Sequence, residues 1–234
     1  MQKMSMKGLQ HGGIARRNKM INAGIMLFLK NGYEKTSTSQ IAKEAGMSQA
    51  SFFAAFSNKE ALLLTLVEEM FENQFKRTEE AVGKYKDPLL LYALETSIQM
   101  TIAETSEPLR ELYVAAYTLP TTSEYIYKMT AKKLAAIFGE YMPEAEEKDF
   151  YELDIASAGI TRGFMAKECN IYFTMEQKLR RYLSCCMKIY NVPEEKANAA
   201  IEAALSMDLR SFAEKAVAEA VAKGEKGFEE AMAE

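Results

Sequence analysis

Apolar residues recur along this chain at helical spacing almost without interruption. Near the start, Ile21, Ile25, Phe28 and Leu29 fall at i, i+4, i+7 and i+8, one face of a helix that Asn31-Gly32 stops. Ser37 and Gln40 fit a capping box for a short helix that turns Ile41, Ala42 and Ala45 inward and ends at Gly46. Ser48 caps a third short helix holding Phe52, Phe53 and Phe56. Ser57 with Glu60 reads as another box, opening a long helix to about Lys84. Asp87-Pro88 opens a helix to about Glu104, Pro108 opens one ending near Pro120, and Thr121 with Glu124 boxes one that Pro143 closes. Helices from about Glu146 to Lys167, from the Thr174–Gln177 box to about Asn191, and from Pro193 to about Lys223 complete the pattern, with Gly224 to Glu234 expected as a frayed tail. No segment alternates as a strand does or repeats with a long period, so the pattern predicts an all-α chain of about ten helices.

Composition agrees. The chain has 234 residues, 48% hydrophobic and 26% charged, with 12 glycines and 5 prolines, an ordinary globular mix with few breakers. No window is apolar enough for a transmembrane helix and the first residues lack a signal-type apolar run, so a cytoplasmic chain without membrane contact is expected. The single histidine, His11, argues against Ser-His-Asp, Cys-His and His-rich metal chemistry. Cys169, Cys185 and Cys186 form no zinc spacing and read as reduced thiols. No catalytic residue, metal site or cofactor is expected.

Charge is distributed unevenly. Residues 1–60 hold nine Lys/Arg against three Asp/Glu, whereas the remainder holds 20 against 30. A basic module on an acidic body points to phosphate as partner, although charge alone does not separate that from a solvated basic surface. The two short helices flanking Ala45-Gly46-Met47-Ser48 supply the stronger signal. A three- to four-residue turn with glycine, followed by a capped helix, is helix-turn-helix grammar, and the second helix enters the major groove with its first residues on base edges. Here those residues are Gln49, Ala50 and Ser51: Gln can pair bidentately with adenine, Ser can donate or accept, and Ala can touch a thymine methyl. Ser37 and Thr38 can meet phosphate at the start of the preceding helix, and Lys59 can reach the backbone as a point charge. A plain helical hairpin in a core gives the same local pattern.

The run Ala23-Gly24-Ile25-Met26-Leu27-Phe28, then Asn31-Gly32-Tyr33-Glu34-Lys35-Thr36-Ser37-Thr38-Ser39-Gln40-Ile41-Ala42-Lys43-Glu44-Ala45-Gly46-Met47-Ser48, resembles the DNA-binding domain of the tetracycline-repressor (TetR) family. Ser51-Phe52-Phe53 and Phe56-Ser57-Asn58-Lys59-Glu60-Ala61-Leu62 continue it, so that the resemblance covers about residues 14–65. It implies a DNA-binding domain at 14–60 and a helical effector-binding and dimerisation domain at 61–223, ahead of the tail at 224–234. It further implies a homodimeric, ligand-responsive regulator, a repressor that a small-molecule effector releases from a double-stranded DNA operator. The chain departs from the family at Phe53-Ala54-Ala55-Phe56, where a tyrosine and a second aromatic or histidine are usual. Phe53 lacks the hydroxyl that would meet the DNA backbone, a gap the basic residues Lys3, Lys7, Arg16 and Arg17 could fill.

Two further expectations concern the acidic body. Ala156, Gly159, Ile160, Gly163 and Phe164 lie along one face of their helix, and glycines four apart suit the close approach of another helix. With Leu179, Leu183, Cys186 and Tyr190 of the next helix they form the dimer interface that the resemblance implies; packing within the chain is the other reading. Met70, Tyr92, Met100, Tyr113, Tyr117, Tyr125 and Met129 are candidates to line an adaptable apolar pocket, or to be core. Two alternatives to a regulator stand at this stage: a helical interaction protein whose helix-turn-helix no longer binds DNA, and an enzyme on a helical scaffold.

Overall fold

The computed structural model describes residues 2–82 and 87–233 and, within them, the side chains of residues 12–71, 87–222 and 224–226. Eleven α-helices follow one another: α1 (Gln2–Asn31), α2 (Thr38–Glu44), α3 (Gln49–Ala55), α4 (Lys59–Val82), α5 (Pro88–Thr105), α6 (Glu107–Ala116), α7 (Pro120–Phe138), α8 (Glu147–Ala166), α9 (Met175–Ile189), α10 (Glu194–Leu205) and α11 (Leu209–Ala233). Among the described residues the only β pairing is the isolated bridge between Asn170 and Phe173 in the α8–α9 turn.

Local capping sets many of the boundaries. Ser37 and Gln40 exchange both capping-box bonds, as do Thr174 and Gln177, and the Asp87 carboxylate accepts the Leu89 N–H at 2.9 Å beside an N1 proline. Two expected boxes fail together. At α4 the cap is Asn58, whose side chain accepts the Ala61 N–H at 2.8 Å. Glu60 reaches across the molecule and accepts the Thr121 N–H at 2.6 Å, capping α7, whose own Glu124 turns outward to Lys128 and Tyr151. The expected last long helix is two helices, because Asp208 accepts the Ser211 N–H at 3.1 Å and restarts the chain after Ser206-Met207. The tail is not frayed: α11 continues to Ala233, and at Gly224 it lies against Ile25 and Met26 of α1.

Burial organises these helices around two connected cores. One gathers Met20, Phe28, Tyr33, Ile41, Phe52 and Phe56 of the first three helices with Leu62, Leu63 and Val67 of α4, and extends to Leu112, Ala115 and Ala116 of α6 and Ile126 of α7. The amino-terminal packing unit therefore does not stop at residue 60. The second joins Leu94, Met100, Phe138, Phe150, Leu183, Tyr190 and Ala204. Phe138 and Tyr190 stack at 4.2 Å between ring centroids inside it. An ionic cluster centred on a buried lysine joins α5, α6 and α9. Lys178 of α9, with 0% side-chain exposure, bonds the Glu104 carboxylate and the Lys167 carbonyl, while Arg110 of α6 lies 3.6 Å from Glu104 and 3.5 Å from Glu168. Burial pushes the Glu104 carboxyl up, but the hydrogen bonds from Lys178 and the Cys169 N–H and the charges of Lys178 and Arg110 hold it below its ordinary value.

Among the described residues two glycines have positive φ. Gly46 (φ +69) makes the turn between α2 and α3 with open space around it. Gly32 (φ +86) ends α1 directly beneath the Glu111 carboxylate of α6, where a Cβ would collide. Gly46→Ala should therefore cost about 1–2 kcal/mol, the strain of a left-handed residue alone. Gly32→Ala should cost more, because it adds the loss of the Glu111 contact. Urea unfolding of both variants checks this, and equal costs would show that Glu111 moves aside freely.

Candidate nucleic-acid interface and ligand cavity

The α2–α3 unit is built by its own sequence. Ser48 accepts the Ser51 N–H at 3.3 Å, the Met47 N–H reaches the Ala42 carbonyl at 2.8 Å, and Gly46 lets the chain reverse between them. Phe52 and Phe56 bury one side of α3 against the core, which leaves Gln49, Ala50, Phe53 and Ala54 exposed on the other. Phe53 is 52% exposed, an uncovered aromatic at the centre of that face. Gln49 Nε2 lies 3.4 Å from Thr38 Oγ1, a contact that orients the amide across the two helices. Ser51 is half-buried with its hydroxyl 3.0 Å from that of Ser48, and Ser37 is exposed with its hydroxyl on the Gln40 N–H. The sequence-predicted contact residues other than Lys59 thus share one end of the molecule.

Lys59 requires a correction. Its ammonium donates to the Tyr33 carbonyl at 2.8 Å and the Thr36 carbonyl at 3.1 Å and sits 4.0 Å from the centroid of the Tyr33 ring. It is a staple between α4 and the α1–α2 turn, not a cation held out to phosphate. Burial lowers its pKa, against the opposing charges of Glu34 and Glu111. Arg17 is similarly engaged, donating to Thr65 at 3.1 Å with its guanidinium 4.7 Å from the centroid of Phe56. The adjoining α1–α2 turn is gripped by α6: Glu111 accepts the Glu34 N–H, and Glu107 pairs with Lys35 at 3.4 Å on the surface.

A cavity opens behind α4 in two lobes that share Phe71, Gln99, Tyr117 and Ile126 as walls. The first is walled by carbon, from Leu66, Met70, Leu112 and Tyr113 among others. The second takes in Tyr92, Thr96, Lys133, Asp154, Thr161 and Tyr182. Of the sequence candidates, Met70, Tyr92, Tyr113 and Tyr117 meet here. Met100 is wholly buried in the core instead, Tyr125 packs edge-on against the outer side of Phe71, and Met129 is 48% exposed on the surface of α7. Periodicity identifies the apolar positions but not which of them face a gap.

The polar lining went unread in the sequence. Asp154 of α8 is 6% exposed; it accepts the Ser157 hydroxyl at 2.7 Å and the Thr130 hydroxyl of α7. Ser157 in turn accepts the Tyr190 hydroxyl at 2.9 Å, and Tyr117 donates to Gln99 at 3.3 Å. Asp154, Ser157 and Thr161 recur at helical spacing on an otherwise apolar face, and that interruption was the available signal. Burial raises the Asp154 pKa, partly offset by its bonds from Thr130 and Ser157. Burial likewise pushes the neighbouring Cys186 thiol up to about 12, so it is no reactive thiolate. Among the described residues, no group of three or more His, Cys, Asp and Glu could hold a metal ion.

The outer face of α8 also departs from expectation in part. Ala156, Gly159 and Gly163 are exposed together with Ile155, and nothing lies within 4 Å of where a Cβ would stand at either glycine. Ile160 and Phe164 are half-buried against the chain's own core. Leu179, Leu183, Cys186 and Tyr190 of α9 are buried in that core, so the apolar stripe of α9 is filled from within and does not face outward.

Residues 20–66 match the sequence model of bacterial regulatory proteins of the tetR family. The uncharacterized HTH-type transcriptional regulator YerO of Bacillus subtilis (strain 168) is 28% identical over 163 residues, 64% of this chain and 55% of that protein. The fatty acid metabolism regulator protein of the same organism is 33% identical over 64 residues, 27% of this chain and 33% of that protein. The alignment thus spans about half the length of YerO and less of the other. Among solved structures, RolR in complex with resorcinol superposes with a TM-score of 0.64 at 14% identity, covering 82% of this chain and 95% of that one. Thermus thermophilus FadR in complex with lauroyl-CoA gives 0.55 at 17%, covering 76% and 96%. At such identities the likeness is one of fold.

The raised pKa of Asp154 has a consequence for stability. The folded chain holds this proton more tightly than the unfolded chain, so stability is lost as pH rises from the unfolded value through the folded one. Below the unfolded value both states are protonated and the penalty vanishes. Asp154→Asn should therefore melt above the parent at neutral pH, with the difference closing toward about pH 4. Thermal melts of both chains across that range test it, and a pH-independent difference would mean that lost hydrogen bonds, not charge burial, govern the site.

Proposed function

We propose that this chain, which belongs to the tetR family of bacterial regulatory proteins through its residues 20–66, is a ligand-responsive DNA-binding repressor that works as a homodimer in the cytoplasm. The observation that carries the reading is the exposed α3 face of Gln49, Ala50 and Phe53, set by a glycine turn in the basic part of an otherwise acidic chain. Gln49 supplies the base-edge contact, Phe53 and Ala50 the apolar contact to thymine methyls and sugar, and Ser37 and Thr38 the approach to phosphate. No single helix among the described residues is long and apolar enough to cross a membrane.

Regulation follows from α6. Its Leu112, Tyr113, Ala116 and Tyr117, the last at its C-terminal end, wall the cavity, while its Glu111 holds the turn that leads into α2. An effector that fills the cavity shifts α6 and carries that turn with it, changing the presentation of α2 and α3. By linkage, whatever weakens operator binding must itself bind less tightly to the operator-bound chain. Dimerisation uses α8, whose exposed Ile155, Ala156, Gly159 and Gly163 let a second α8 approach closely around a two-fold axis.

Two experiments test the reading. Selection of bound fragments from random double-stranded DNA should return a pseudo-palindrome. In it, Gln49→Ala should relax preference at one base position per half-site, by about 1–3 kcal/mol of discrimination. Lys59→Ala, by contrast, should lower unfolding stability by about 1–2 kcal/mol while leaving the preferred sequence intact. Recovery of no common sequence would point to a helix-turn-helix that no longer reads DNA. In sedimentation, Gly163→Leu should give a folded monomer, since the added side chain meets nothing within its own chain; a dimer as tight as the parent's would rule out this face.

A further inference from the structure

The two lobes of the cavity differ in chemistry, and the difference specifies what fits across them. The lobe between α4 and α6 offers carbon. The lobe under α8 is lined by Asp154, a carboxylate more than nine-tenths buried whose bonded partners, Thr130 and Ser157, are neutral hydroxyls. Elsewhere in the chain a buried acid is handled differently: Glu104 is matched by both Lys178 and Arg110. Lys133 and Glu95 line the same lobe, each with a partner of its own. Phe71, Tyr92, Tyr117 and Tyr182 line the same lobe as Asp154, and aromatic faces attract cations. A buried carboxylate without a cation is costly; an incoming cation with a hydrogen to donate repays that cost, and an anion placed there adds to it.

We propose that the effector is an amphipathic amine, bound with its protonated nitrogen on Asp154 and its aromatic or hydrocarbon body reaching between Phe71 and Tyr117 into the carbon lobe. This rests on the reading of the cavity as the effector site and names the charge and shape of what enters it. The ammonium donates to the carboxylate oxygens beside the Thr130 and Ser157 hydroxyls, so both oxygens gain a charged partner without breaking the bonds they have.

Three probes of one shape decide the matter: phenylbutylamine, phenylbutanol and phenylbutyrate, titrated calorimetrically into the full chain at neutral pH. The amine should bind at least about tenfold more tightly than the alcohol, with the carboxylate weakest. Asp154→Asn should bring the amine to the level of the alcohol. The proposal is overturned if the carboxylate or the alcohol equals the amine in the parent chain, if the amine preference survives in Asp154→Asn, or if none of the three binds at millimolar concentration. The parent-chain ranking needs no variant, so a misfolded Asp154→Asn protein does not protect the idea. Repeating the titrations with a selected DNA fragment separates this inference from the regulator reading. Amine binding through Asp154 that leaves DNA affinity unchanged sustains the ligand class and removes the regulation. A carboxylate that binds best and releases DNA does the reverse.

Discussion

Glu111 accepts the Glu34 N–H over Gly32, while the residues that follow it on α6 serve core and cavity together: Leu112, Ala115 and Ala116 are buried in the amino-terminal core, and Leu112, Tyr113, Ala116 and Tyr117 wall the cavity. A ten-residue helix is only about 15 Å long and moves as a unit. Its surroundings are packed, so it has alternative positions rather than slack. Any molecule that pushes on Tyr113 or Tyr117 therefore pushes on the turn that enters α2. Glu60 imposes the same constraint from the other side: it begins α4, next to the Lys59 staple, yet caps α7 at Thr121. The surface that carries Gln49 is tied to the cavity by two carboxylates and one ammonium, each bonded to backbone in another element.

The interior accommodates charge in two ways. Lys178 is fully buried but bonded to Glu104 and the Lys167 carbonyl, and with Arg110 it fixes the α8–α9 turn to α5 and α6. That arrangement is rigid, since removing one partner would strand the others in a dry site. Asp154 has only hydroxyls, which rotate, and its carboxyl is held above its ordinary value by burial. A charge-matched cluster holds the scaffold still; a carboxylate with hydroxyl partners alone, lining a cavity, leaves interaction energy for a ligand to supply.

Much of the fold is legible in the chain because many of its signals are local. Ser37 with Gln40, Asp87 with Pro88, and Thr174 with Gln177 cap the helices they precede, and each can be read from a few consecutive residues. Reading fails where the partner is distant. Glu60 looks like the closing member of a box with Ser57 but serves α7, and nothing near Thr121 announces that its N–H is capped from α4. The candidate sites divide the same way. Gln49, Ala50 and Phe53 were readable because a helix-turn-helix exposes one face by local geometry. The cavity depends on which of many apolar positions face one another across helices, which is why Tyr113 and Tyr117 meet there while Met100 is core and Met129 lies outside.

The outward face of α8 brings these threads together. Gly159 and Gly163 each cost about 1 kcal/mol relative to alanine in mid-helix. Among the described residues no other element recovers that cost, because outside the glycines' own neighbours and helix backbone no atom lies within 4 Å of either missing Cβ. The inward face of the same helix carries Asp154, Ser157 and Thr161, the polar wall of the cavity. A second α8 laid across the glycines would thus be separated from the ligand by the thickness of one helix. In the proposed dimer, a ligand drawn toward Asp154 acts on the helix that sets the angle between protomers as well as on α6, which sets the pose of α2 and α3 within each. Two half-sites of a fixed operator demand both the spacing and the orientation of the α3 helices. A small displacement at the cavity therefore disturbs DNA binding through two geometric variables at once, and neither requires either helix to unfold.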